Sequence, residues 1–181
     1  VGDKLAHARE NEPLATNGVT FVKSSFEKEY SDLPSVSSMK RILTEFCDGY
    51  LEMVGSSKKE IVENGKKLLE NNKKILTHCH SSTVVSLIKN ISQGKPEFEV
   101  VCTETRPLFQ GRTTAKNLLA AGIKTTMIAD SSAESFVIGR GNTHIEISLI
   151  GCDEILADGS AVNKIGSWGI GMASLYAKKP L

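Results

Sequence analysis

From Lys74 to the end of the chain, short apolar runs alternate with helical patterns, and each run ends in a small polar cluster. The runs are Ile75–Thr77, Phe98–Cys102, Thr125–Ile128 and Ile145–Ile150, at roughly 20–25-residue spacing. Helical periodicity fills the intervals and the end, over Thr83–Ile91, Thr113–Ala121, Ala133–Ile138 and Gly166–Ala177. Strands separated this way pair in parallel through right-handed crossovers, which gives a doubly wound sheet with helices on both faces. The polar clusters His78-Cys79-His80, Glu104-Thr105-Arg106, Asp130-Ser131-Ser132 and Gly151-Cys152-Asp153 then meet along one edge of that sheet. Ligands of open α/β sheets gather at that edge, outside the carboxyl ends of the strands.

Residues 1–72 carry no comparable strand. Leu14, Val19, Phe21, Val22 and Phe26 make an imperfect helical stripe, and Met39, Ile42, Leu43, Phe46, Tyr50, Met53 and Val54 make a regular one. Gly55-Ser56-Ser57 either breaks or only interrupts the second helix, and Ile61, Val62, Leu68 and Leu69 continue its apolar face. The fold class expected is therefore α/β: a helical N-terminal module over 1–72, followed by a mostly parallel, Rossmann-like domain over 73–181. Both ends read as cut. The chain opens on Val1 rather than Met, and the closing Lys-Pro-Leu after a helix usually leads into another strand.

A net charge of +1 gives no general argument for nucleic-acid or membrane binding. No apolar run approaches the roughly 20 residues of a membrane span. Cys47, Cys79, Cys102 and Cys152 lack CxxC spacing, which argues against a zinc site or a disulfide framework and favours a reducing, cytoplasmic setting. There is no GxGxxG after the first strand and no GxxxxGK[ST], so neither dinucleotide nor P-loop binding is supported.

Among single residues, Cys79 sits between two histidines, just before a helix that Ser81, Ser82 or Thr83 can cap. A helix dipole and two imidazoles there favour a thiolate. The residues leave open a plainer reading, in which Cys79 is a small buried hydrophobe. Arg106 and Gln110 lie in a loop stiffened by Pro107 and Gly111, either aimed at a ligand or, for Arg106, paired with Glu104. Asp153 directly follows an apolar strand and Gly151, so a partly buried carboxylate able to give up a proton is expected. Asn163-Lys164 before a glycine-rich turn reads either as an anion clamp beside helix N–H groups or, for Lys164, as a solvated surface residue.

Ile75-Leu76-Thr77-His78-Cys79-His80-Ser81, Thr103-Glu104-Thr105-Arg106-Pro107, Gln110-Gly111, Thr114-Ala115, Asp130-Ser131, Gly151-Cys152-Asp153 and Asn163-Lys164-Ile165-Gly166 occur in one order and spacing. In these motifs the chain resembles the superfamily of ribose-1,5-bisphosphate isomerase, methylthioribose-1-phosphate isomerase and the α, β and δ regulatory subunits of translation initiation factor 2B. The likeness is dense over residues 75–177. Arg9-Glu10-Asn11-Glu12-Pro13 extends it as an altered Arg-Pro-Thr-x-Pro element. The resemblance implies that Cys79 and Asp153 are a catalytic pair and that Arg9, Gln110, Asn163 and Lys164 hold a sugar phosphate, with Arg106 in the same binding set. Cys152 stands where Ala is usual and Gly166-Ser167 where Gly-Thr is usual, and the family's Arg-Gly-Ala phosphate element is absent.

Two functions follow from the resemblance. One is a cofactor-independent, metal-free aldose–ketose isomerase acting on a sugar 1-phosphate, most like ribose 1,5-bisphosphate, since Cys-His-Ser matches that branch and Cys-Asn the methylthioribose branch. The other is a non-catalytic, archaeal-type initiation-factor-2B relative that binds a nucleotide or sugar phosphate. Retention of both Cys79 and Asp153 favours the enzyme. Either way the implied partners are a small sugar phosphate, a nucleotide as a candidate effector, and further copies of the chain, in a dimer or higher oligomer.

Overall fold

The computed structural model describes residues 2–7, 13–29 and 35–181. They fall into two compact units, Val1–Glu60 and Ile61–Leu181.

The first unit is helical. It holds α1 (Gly2–Ala6), α2 (Pro13–Glu29) and most of α3 (Val36–Leu69). Pro13 opens α2, where its missing N–H costs nothing. Gly18 makes room for Tyr50, because a Cβ there would stand 2.8 Å from the ring. Tyr50 also packs against Phe21 at 5.4 Å between centroids, and its hydroxyl donates to the Leu14 carbonyl at 3.0 Å. Gly55-Ser56-Ser57 does not break α3, which runs through as one helix.

In the second unit four strands, β1 (Lys74–Thr77), β2 (Glu99–Thr103), β3 (Lys124–Ile128) and β4 (Ile147–Ser148), form one parallel sheet in the order β3-β2-β1-β4. All four runs expected to be strands lie in it. The alternation of side chains separates two cores. Ile75, Val100 and Cys102 point to the face covered by α4 (Ser82–Ile91) and α5 (Gln110–Leu119). Leu76 and Val101 point to the face covered by α6 (Ala133–Val137) and α7 (Ser167–Ala177). Central strands buried on both faces need such unbroken apolar runs. The fourth run contributes only two residues to the ladder, although Ile145 before it is fully buried in the second core. A small antiparallel pair, β5 (Glu154–Ile155) and β6 (Ala161–Val162), turns at Asp158-Gly159, with Gly159 at φ 85°.

The strand order reverses at β1, with β2 on one side and β4 on the other. In open α/β sheets the ligand crevice lies at such a switch point, outside the carboxyl ends of the strands, where the loops leaving β1 and β4 meet.

Candidate active site

The turn after β1 is held in a conformation its sequence would not choose alone. Cys79 has φ 69°, in the left-handed region that costs an L-residue about 1–2 kcal/mol. Both sides of the residue are tied down. Its N–H donates to Thr105 Oγ1 at 2.9 Å, and its carbonyl accepts from Thr114 Oγ1 at 2.8 Å. Thr105 is itself left-handed, at φ 61°, and its N–H donates to one oxygen of Asp130 while the Arg106 N–H donates to the other, each at 2.7 Å. Ser81 caps α4 through a bond from the Val84 N–H to its hydroxyl at 3.3 Å.

The two histidines flanking Cys79 have separate tasks. His78 is buried, with Nε2 2.8 Å from the Ile165 carbonyl and Nδ1 2.6 Å from Thr103 Oγ1. A carbonyl only accepts, so Nε2 carries a proton. In the neutral ring Thr103 then donates to Nδ1, Thr105 donates to Thr103 across 3.2 Å, and the Cys79 N–H donates to Thr105, which leaves every proton an acceptor. His78 thereby braces β1 against β2 and against the loop that carries Asn163 and Lys164. Gly166 packs flat on its ring, where a Cβ would lie 3.1 Å from Nε2. His80 Nδ1 lies 2.9 Å from Thr114 Oγ1, whose single proton already goes to the Cys79 carbonyl. His80 Nδ1 is therefore the donor, and its Nε2 keeps a lone pair in the neutral ring.

The state of the thiol runs against the expectation of a thiolate. Burial pushes the Cys79 thiol up from its ordinary value. The His80 backbone N–H and the Lys164 ammonium pull it down by less, and Asp153 and Asp130 push it up further. At neutral pH the group is a thiol.

Cys79, Asp153 and Lys164 thus share one electrostatic neighbourhood, although 74 residues separate Cys79 from Asp153. Asn163 joins them: a Cβ on Gly151 would meet Ser81 at 3.2 Å and Asn163 Oδ1 at 3.6 Å, so the loops after β1 and β4 and the one before α7 touch. The Asn163 amide donates to Ser167 Oγ at 2.9 Å, which fixes it at the mouth of α7. Asp153 is exposed rather than partly buried. The strand it was expected to follow ends at Ser148, and the Asp153 N–H instead donates to Val162 in the stem of the small hairpin.

Arg106 is drawn aside. Its Nε donates to Glu104 at 2.8 Å, and its guanidinium and that of Arg112 lie against the Phe109 ring at 4.9 and 3.9 Å. Gln110 opens α5 with a buried Oε1 that has no hydrogen-bond partner. Arg9 lies outside the described residues. Thr103, Thr105 and Thr114, which set the geometry of the turn, were visible in the sequence only as neighbours of the chemically louder residues. Among the described residues, no three His, Cys, Asp or Glu side chains are grouped to hold a metal, and no helix is long and apolar enough to cross a membrane.

The model of the initiation factor 2 subunit family matches residues 1–181. The chain belongs to that family. It is 32% identical over 146 residues to a ribose 1,5-bisphosphate isomerase of Archaeoglobus fulgidus, covering 81% of this chain and 45% of that one. It is 38% identical over 132 residues to the protein of the same name from Methanocaldococcus jannaschii, covering 71% and 41%. The crystal structure of the Pyrococcus horikoshii translation initiation factor eIF-2B superposes with a TM-score of 0.83 at 24% identity, over 99% of this chain and 59% of that one. This family member spans about half the length of the curated relatives it matches.

Proposed function

We propose that this chain carries the chemical centre of a cytoplasmic aldose–ketose isomerase that acts, without a cofactor, on a sugar 1-phosphate, with ribose 1,5-bisphosphate as the substrate. The observation that carries the reading is the convergence of a buried thiol, an exposed carboxylate and a lysine at the crevice beside β1. The identities to isomerases support it in kind.

A phosphate on C1 locks an aldose as a ring. The ring must open, a hydrogen must leave C2 and one must arrive at C1. That calls for one group working at carbon and another at oxygen. Cys79 takes the carbon. Its raised thiol has a thiolate that is scarce but correspondingly basic, and Lys164 is the counter-charge that limits its cost. Asp153, exposed on the hairpin stem, serves the ring and carbonyl oxygens. Asn163, Lys164 and the amides opening α7 hold the phosphate. Gln110, with its unsatisfied oxygen, takes a sugar hydroxyl. Arg9 and Arg106 complete the binding set, the latter after release from Glu104. The apolar side chains Trp168, Leu175 and Tyr176 exposed on α7 suit self-association into a homo-oligomer.

The test is turnover of ribose 1,5-bisphosphate by the full-length protein. Cys79→Ser and Asp153→Asn should each abolish it while leaving sugar-phosphate affinity within about tenfold, roughly 1.4 kcal/mol. Near-normal turnover in either variant removes that residue from the mechanism. Tight binding with no turnover in the unaltered protein would point instead to a regulatory, initiation-factor-like role.

A further inference from the structure

Three left-handed residues that are not glycine, Cys79, Thr105 and Phe109, gather at the carboxyl edge of the sheet. Phe109 begins a helix, a common place for an irregular backbone. The other two are bonded to one another, and each is held by a partner from a further element. Asp130, following β3, grips the amides of Thr105 and Arg106. Thr105, following β2, grips the amide of Cys79. Thr114, on α5, grips the carbonyl of Cys79 and also orients His80. Both threonines are 1% exposed, so water does not compete for these bonds. Strained backbone persists only where the surroundings over-determine it, and such places cluster at functional sites.

We propose that Thr105 and Thr114 are positioning residues that clamp Cys79 in its left-handed conformation and so keep its sulfur on the His80 N–H and beside Lys164. Neither threonine needs to meet the substrate. Their hydroxyls act on the peptide groups either side of one residue. The kinetic part of the inference rests on the isomerase reading above, but the clamp itself does not.

The replacements that isolate the hydroxyls are Thr105→Val and Thr114→Val, which keep the β-branch and nearly the volume. Thr105→Ser and Thr114→Ser restore the hydroxyl. The direct readout is the alkylation rate of Cys79 by iodoacetamide in the native protein, followed on the peptide that contains it, so that exposed Cys47 and Cys152 do not interfere. With the clamp intact, Cys79 is 8% exposed and reacts slowly. Each Val variant should react at least tenfold faster, and each Ser variant within threefold of the unaltered protein. In isomerase assays the Val variants should lose at least tenfold in kcat, with KM changed by less than threefold.

Val variants that are as slow to alkylate as the unaltered protein, or Ser variants as fast as their Val counterparts, overturn the clamp. If one Val variant does not fold, the other decides, since the two act on opposite sides of the same residue. Alkylation that responds as expected in a protein with no isomerase activity keeps the clamp and refutes the enzyme. Turnover with unresponsive alkylation does the reverse.

Discussion

Gly111, in the first turn of α5, invites an experiment in which two physical effects oppose each other. Replacing a helical glycine with alanine ordinarily stabilises by about 0.5–1 kcal/mol, because the unfolded chain loses freedom. At Gly111 the added methyl would stand 2.9 Å from the Thr103 carbonyl carbon and 3.0 Å from Thr105 Oγ1, and would be driven into the Thr103 oxygen. Carbon atoms in contact sit about 3.5–4.0 Å apart, so the start of α5 must retreat from the end of β2 by something on the order of 1 Å. Overpacking of this kind costs roughly 1–3 kcal/mol or more, and here the obstacle is backbone that cannot rotate away. The net expectation for Gly111→Ala is a loss of about 2 kcal/mol, read as a lower urea midpoint at unchanged slope. Because α5 also carries Thr114, a shift of that size should cost turnover on the order of a hundredfold. Gly55→Ala in α3 is the control, since nothing lies within 4 Å of its added methyl. It should gain up to about 1 kcal/mol. If Gly111→Ala is as stable as Gly55→Ala, the packing of α5 onto β2 described here is wrong.

Two further expectations concern stability. Burial pushes Cys102 up to about 12 from an ordinary 9.0, so it favours the folded state fully below pH 9 and loses that contribution as pH rises towards 12. Between pH 8 and pH 10.5 the unaltered protein should lose about 2 kcal/mol more than Cys102→Ala in urea titrations, and parallel pH profiles would refute this. Removing the α4 cap by Ser81→Ala should cost about 1 kcal/mol, and a change below about 0.3 kcal/mol would mean that the bond to the Val84 amide contributes nothing.

What could be read from the sequence was whatever follows from periodicity. Ile75, Leu76, Val100 and Val101 are apolar in succession because β1 and β2 are covered on both faces, and such runs announce themselves. Elements that depend on long-range partners were hidden. α5 begins at Gln110, three residues before its apolar periodicity, because Phe109 turns the chain in a left-handed conformation without any side-chain cap to signal it. β4 is cut to two residues because it is an edge strand that borrows its register from β1. The candidate site divides the same way. Cys79, Asp153, Asn163 and Lys164 stand out by chemical type, and the structure brings them to one crevice. That Asp153 is exposed, or that Arg106 leans on Glu104, depends on loop paths that no local pattern encodes. The threonines of the turn were overlooked for a related reason: a hydroxyl looks ordinary until its two partners are known.

The bond from His78 to residue 165 ends on a main-chain carbonyl, while the Ile165 side chain stands 81% exposed. Main-chain atoms are the same in every amino acid. Position 165 is therefore a place where the surface can be rewritten without disturbing the crevice beneath it, so long as the replacement keeps the backbone path and Gly166 stays bare against the imidazole. Charged, bulky or labelled residues can be installed there, as a spectroscopic reporter or as the start of a new contact, a few ångströms of backbone away from Lys164.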